Sequence, residues 1–143
     1  MSKPSQKPPQ QPSVDPQQLM SYYQNLVERV QQLESTELQL TSAITELRNN
    51  LETLTGLKTY PNDSNVMLPL GGLLFIETNL SETGKVLVDA GSGTFIPSTF
   101  DEAAQTITTR LNDMMQYLQR LLQEKEKMEA EANQIQSYLN QMQ

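Results

Sequence analysis

Residues 66–97 read VMLPLGGLLFIETNLSETGKVLVDAGSGTFIP, and this stretch decides the fold. Four short apolar runs stand in it, at 66–70, 73–80, 85–90 and 94–97. They are rich in β-branched, aromatic and aliphatic residues and are separated by Gly71-Gly72, Ser81–Gly84 and Gly91-Ser92-Gly93. Short runs between glycine-bearing turns are hairpin signals, so four strands in two β-hairpins are expected. Leu73, Leu74, Phe75 and Ile76 are consecutive, which predicts a second strand with both faces seeking burial. An insert of four strands cannot bury both faces, and it leaves sheet edges open. The segment therefore points to obligate oligomerisation. The candidate subunit-interface residues are Val66, Leu68, Leu70, Leu74, Phe75, Ile76, Val86, Val88, Phe95 and Ile96.

Outward from this segment, proline disappears. None lies between 17 and 60 and none after 97, and five of the six glycines fall within 61–97. Proline breaks helix interiors and glycine weakens them. The expected order is a Pro/Gln-rich disordered tail (1–15), a coiled-coil helix (16–59), the two hairpins (60–98) and a second coiled-coil helix (99–143). The tail has too few apolar residues to supply a core. Its Pro9-Gln10-Gln11-Pro12 also matches a polyproline ligand, a pattern common by chance.

The first helix has Asp15 as a cap, Pro16 at its first position and Gln18 at capping-box spacing. Its apolar register alternates steps of four and three. Leu19, Leu26, Leu33, Leu40, Leu47 and Leu54 occupy d positions; Tyr23, Val30, Glu37, Ile44, Leu51 and Lys58 occupy a positions. In the second helix, Thr99 and Glu102 form a capping box. The seam runs from Phe100 through Ala104, Ile107, Leu111, Met114, Leu118 and Leu121 to Lys125, Met128, Ala132, Ile135, Leu139 and Met142. A period of 3.5 held this long specifies a coiled coil. The expected fold is mainly α with a small β insert: a long antiparallel coiled-coil hairpin with four strands at one end.

Antiparallel packing sets a against d. Placing Leu54 opposite Ala104 sets Leu51 against Ile107, Ile44 against Met114 and Leu19 against Leu139. The two polar interruptions then fall in adjacent layers, and Glu37 and Lys125 form a candidate pair that fixes the register. The alternative is that each side chain reaches water independently.

Composition narrows the function. The chain has 143 residues, 36% of them apolar, with 17 acidic and 10 basic side chains for a net charge of -7. An acidic balance disfavours nucleic acid and anionic membranes as partners. The absence of Cys and His removes thiolate and imidazole chemistry and the commonest metal ligands. Gly91-Ser92-Gly93 lacks the pattern of a phosphate loop. Asn62-Asp63-Ser64 and Asn79-Leu80-Ser81 match the glycosylation sequon, but no secretory signal accompanies them. No run approaches the roughly 18 apolar residues of a membrane span. No catalytic residue, metal site or cofactor is expected, and the expected location is cytoplasmic.

The helix ends carry a further candidate surface. Leu19, Met20, Tyr22, Tyr23 and Leu26 from the first helix are expected to meet Ile135, Tyr138, Leu139 and Met142 from the second at one tip. Most are seam positions. Met20, Tyr22 and Tyr138 are not. Adaptable methionine and amphipathic tyrosine suit a surface that holds many partners weakly. Scattered surface aromatics are the plainer account.

The order of helix, two hairpins and helix resembles the α-class subunit of prefoldin, a hexameric cochaperone. Met67-Leu68-Pro69-Leu70-Gly71-Gly72 resembles that family's entry to the first hairpin, and Val86–Ile96 its second hairpin. Phe100-Asp101-Glu102-Ala103 resembles the opening of its second helix. Phe75 fits the family's aromatic slot, while Leu73-Leu74 replaces a smaller pair. The resemblance implies an oligomeric β-barrel platform built with a second copy of the chain and four β-class subunits. It also implies coiled-coil tips that hold unfolded clients without ATP and deliver them to a group II chaperonin. A structural adaptor whose tips bind one folded partner in a prefoldin-like complex is the alternative.

Overall fold

The computed structural model describes residues 14–61, 63–80 and 85–142. Most of the tail, its Pro9–Pro12 motif, the turn at 81–84 and the sequon residues Asn62 and Ser81 lie outside the described residues. The elements run α1 (Pro16–Thr59), β1 (Asn65–Pro69), β2 (Phe75–Asn79), β3 (Lys85–Asp89), β4 (Phe95–Thr99) and α2 (Phe100–Gln141). They fall into two compact units. One holds the residues up to Leu38 together with those from Gln119 onward; the other is Gln39–Leu118.

Each helix start is satisfied by side chains. The Gln17 amide donates to Asp15 Oδ1 at 3.0 Å, which caps α1. Among the described residues no hydrogen bond joins Gln18 to Asp15, so the first helix carries a simple cap, not a box. The α2 start is a full capping box. Thr99 N donates to Glu102 Oε2 at 3.2 Å, and Glu102 N donates to Thr99 Oγ1 at 3.1 Å. Asp101 and Glu102 lie in the first turn of α2, where the helix dipole favours negative charge. Gly56 is an interior residue of α1, which continues to Thr59. Lys58 in its last turn pairs with Asp101.

In the first unit the core is Leu26, Ala132 and Ile135, with Leu19, Tyr23, Met128 and Leu139 packed on it. In the second unit it is Leu54, Ala103 and Ile107, with Leu47, Leu51, Phe100, Ala104, Val86 and Val88 packed on it. Every seam position named above is buried or half-buried except Lys58 and Met142. Ala103 lies outside the heptad seam, yet at 1% exposure it is the most buried residue of the core. It is covered because the β3–β4 hairpin lies across that edge of the helix pair and sets Val86 and Val88 on it.

The strands form two separate two-stranded antiparallel sheets, β1–β2 and β3–β4. Leu68 stands opposite Ile76 in the first, and Val88 opposite Ile96 in the second. The expected long second strand is shorter than the sequence suggested. It starts at Phe75, so Leu73 and Leu74 belong to the turn region, and Leu73 is 93% exposed. Four consecutive apolar residues did not make a two-faced strand, because Leu70 N donates to Leu74 O at 2.7 Å and closes the turn over residues 71–73, with Leu73 inside it. The other turn is tight: Ala90 N donates to Thr94 O at 2.8 Å and Gly91 N to Asp89 Oδ1 at 2.8 Å. Gly91, Ser92 and Gly93 all have positive φ there, at 96°, 54° and 74°. Glycine adopts that geometry without strain.

Ala103→Leu adds bulk where Val86, Val88 and the helix pair close on one another. It is expected to destabilise the subunit by about 1–3 kcal/mol, read as a lowered thermal midpoint by circular dichroism. The same change at exposed Gln105 is expected to leave the midpoint nearly unmoved.

Candidate functional site

The hairpins present apolar surface that the chain itself does not cover. Leu68, Leu70, Leu74, Phe75, Ile76, Phe95 and Ile96, all expected at an interface, are exposed, and Val66 is half-buried. Val86 and Val88 differ. They face the Leu54, Ala103 and Ile107 cluster and are used within the chain, which withdraws them from the free surface. Met67, Leu73 and Leu87 are exposed as well and were not among the residues expected at the interface. The two-residue period of a strand was the available signal for Leu87. With Val86 and Val88 facing one side, Leu87 must face the other.

The sheet edges are unequal. Leu70 N donates to Leu74 O, and Leu80 N to Ser64 O, so the ladder bonds of the first hairpin fall at even-numbered β1 positions. The backbone groups of Asn65, Met67 and Pro69 on β1 therefore point outward, as do those of Phe75, Glu77 and Asn79 on β2. In the second hairpin, Ala90 N bonding Thr94 O turns Lys85, Leu87 and Asp89 outward on β3 and Phe95, Pro97 and Thr99 outward on β4. Proline has no N–H, so β1 lacks a donor at Pro69 and β4 lacks one at Pro97. The Thr99 N–H is already engaged by Glu102. The outer edges of β2 and β3 thus keep a full row of donors. Among the described residues no third strand joins either hairpin.

A second surface is the end of the helix pair where α1 begins and α2 ends. Met20, Tyr22, Tyr138 and Met142 are exposed there. Leu19, Tyr23 and Leu139 are half-buried, and Leu26 and Ile135 are core. The nine expected tip residues therefore divide into an outer set available to a ligand and an inner set that holds the helices together.

Polar contacts cross the helix pair beside this end. Tyr22 Oη donates to Glu131 Oε1 at 2.6 Å. That hydrogen bond, followed by burial and the carboxylate's charge, raises the Tyr22 pKa above its ordinary value. Arg29 and Glu124 approach to 3.7 Å on the surface, a pair worth little. Glu37 and Lys125, the two polar interruptions of the seam, form a half-buried ion pair at 2.8 Å. The Glu37 hydrogen bond raises the Lys125 pKa; burial opposes it, and the charges of Glu37, Glu129 and Glu34 add to it.

The described chain is two long helices joined through two unpaired hairpins. The family model for the prefoldin subunit matches residues 26–143. The chain belongs to the prefoldin family. Its relatives place it in the α class. Prefoldin subunit alpha of Methanopyrus kandleri is 33% identical over 73 residues, covering 51% of this chain and 46% of that protein. Prefoldin subunit alpha of Methanococcoides burtonii is 33% identical over 69 residues, or 48% of this chain and 50% of that one. The matched part of the chain thus spans about half the length of these two relatives. Prefoldin subunit alpha of Methanospirillum hungatei matches more widely, at 28% identity over 90% of this chain and 88% of its own. Among solved structures, a chain of filamentous PFD from Methanocaldococcus jannaschii has a TM-score of 0.68 at 21% identity. It covers 82% of this chain and 97% of that one. The prefoldin fold is therefore the fold of this chain: two long helices and two hairpins of antiparallel strands.

The Tyr22 and Lys125 contacts have a direction with pH. Both groups bind their protons more tightly in the folded chain, so their stabilisation is complete at neutral pH and is lost as the pH rises through their raised values. The thermal midpoint is expected to fall as the pH climbs beyond about 10, the ordinary tyrosine and lysine range. Tyr22→Phe combined with Lys125→Met should flatten that decline in a series of melts from pH 8 to higher values.

Proposed function

We propose that the chain is the α-class subunit of a hexameric, non-enzymatic chaperone. In this reading it pairs with a second copy of itself and with four β-class subunits through its hairpins. The exposed residues at the end of the helix pair hold unfolded proteins without ATP, in the cytoplasm, for transfer to a group II chaperonin. The observation that carries the reading is the pair of two-stranded sheets with bare apolar faces. An isolated hairpin is marginal in water, and two that expose Leu68, Leu74, Phe75 and Ile76 in the first and Phe95 in the second need partner sheets. The α-class relatives support the same assignment.

The edge geometry supports an assignment of strands to partners. β2 and β3 carry complete outward donor rows, whereas Pro69 and Pro97 interrupt β1 and β4. Pairing between subunits is therefore assigned to the β2 and β3 edges, with the apolar faces closing over one another as in a barrel. At the other surface, Met20, Tyr22, Tyr138 and Met142 supply adaptable apolar contact around the Leu19, Tyr23 and Leu139 layer. Partial fraying of the last heptads would offer Leu26 and Ile135 as well.

Native mass spectrometry of the particle recovered with this chain is expected to give six subunits, two of them this chain. A stable pair with one unrelated folded protein would favour the adaptor alternative. Glu77→Pro removes an outward donor of β2 without a ladder bond inside the hairpin, and is expected to reduce the hexamer to smaller species. Met67→Pro, on the edge that Pro69 already interrupts, should assemble. For the client surface, the triple variant Met20→Ser, Tyr22→Ser, Tyr138→Ser is expected to form the hexamer but to lose most of its suppression of aggregation of several unrelated denatured proteins. Full suppression by that variant would move client binding away from this end.

A further inference from the structure

In the unit built from residues up to Leu38 and from Gln119 onward, a groove of about 420 Å³ runs along one side of the helix pair. Its apolar lining is Tyr23, Val27 and Val30 from α1 and Ala132 from α2, and Gln31 and Asn133 line it beside them. Ala132, a small seam residue that also belongs to the buried Leu26 and Ile135 cluster, forms part of its wall. Glu34 and Glu129 stand on its rim.

The charge at that rim is unbalanced. Lys125 is the basic group close by, and its ammonium is held by Glu37 at 2.8 Å. Glu34 and Glu129 feel the same lysine, since both favour its charged form. One ammonium thus serves three carboxylates. Over residues 14–38 and 119–142 there are eight acidic and four basic side chains, so this part of the chain is acidic as a whole. An apolar slot with net negative charge on its lip is complementary to an apolar side chain with a positive neighbour.

We propose that this groove takes one apolar side chain of an unfolded segment, and that Glu34 and Glu129 select segments in which a lysine or arginine stands beside it. The inference rests on the client-holding reading above and adds a chemical preference to it. At about 420 Å³ and open to solvent, the groove has room for a leucine- or methionine-sized group together with its neighbours on an extended segment. The carboxylates hold the adjacent cation at the rim without burying it, so the contact is weak, reversible and tolerant of sequence. Folded proteins are poor ligands, because their apolar side chains are not offered singly beside a free cation on an extended chain. The same rim disfavours segments rich in Asp and Glu.

The test uses the assembled particle carrying the full chain, with its other subunits unchanged. Three fluorescein-labelled peptides of equal length in a Ser/Gly background each carry a central leucine, flanked by lysine, by serine or by glutamate. Fluorescence anisotropy at low ionic strength is expected to show the lysine-flanked peptide bound about three- to tenfold more tightly than the serine-flanked one, and the glutamate-flanked peptide more weakly still. Added salt should shrink the difference. The double variant E34Q/E129Q is expected to bind the lysine- and serine-flanked peptides alike, and V27S to weaken all three. A lysine preference that survives E34Q/E129Q, or peptide affinities untouched by V27S, would overturn the groove assignment and leave the chaperone reading standing. Failure of the wild-type particle to bind any of the three peptides, together with failure to protect any denatured protein, would overturn both.

Discussion

The contact of Val86 and Val88 with Leu54, Ala103 and Ile107 is the interaction on which the β segment depends. A two-stranded sheet alone gains too little to offset the entropy of ordering its backbone. Laying one face of β3–β4 across the helix pair removes its valines from water and holds the hairpin. Arg110 adds a polar tie, donating from Nη2 to the Asp89 carbonyl at 2.9 Å. The cost of this anchoring is that one face of the second hairpin is spent inside the chain. The exposed apolar residues of the first hairpin have no comparable anchor among the described residues.

Proline placement works with that arrangement. A bare sheet edge invites uncontrolled pairing, and natural proteins interrupt edges that are not meant to be used. Pro69 and Pro97 sit at outward-pointing positions of β1 and β4, where they cost no ladder bond within their own hairpins. The two strands they leave intact are adjacent in the chain. One edge of each hairpin is thereby closed to further strands while the other stays open, a way of limiting the number of neighbours a subunit can take.

The sequence was most legible where one geometry repeats. The 3.5-residue spacing named the seam positions, and the structure buries or half-buries all but the terminal pair, Lys58 and Met142. Lys58 departs because it pairs with Asp101 at the ends of the two helices. The polar interruptions at Glu37 and Lys125 were visible because they break an otherwise apolar rhythm, and the structure brings them to 2.8 Å. Ala103 was not legible. Its burial depends on which edge of the helix pair the β3–β4 hairpin covers, and a heptad pattern carries no information about a third element. The same ignorance put Val86 and Val88 on the free surface. Leu73 was misplaced for a local reason: apolarity pointed to strand, but the backbone bond from Leu70 to Leu74 encloses it in the turn.

The candidate client surface was legible only in outline, and the reason is physical. A seam residue and a ligand-binding residue at a coiled-coil end have the same chemistry, so periodicity cannot separate them. Exposure does: it leaves Met20, Tyr22, Tyr138 and Met142 outside and puts Leu26 and Ile135 within. The groove beside Ala132 was hidden for a related reason. Alanine at a seam position satisfies the apolar pattern as well as leucine does, and only packing reveals the groove it lines. With carboxylates beside it, such a groove becomes a site with a charge preference, while the neighbouring leucines keep the helices paired.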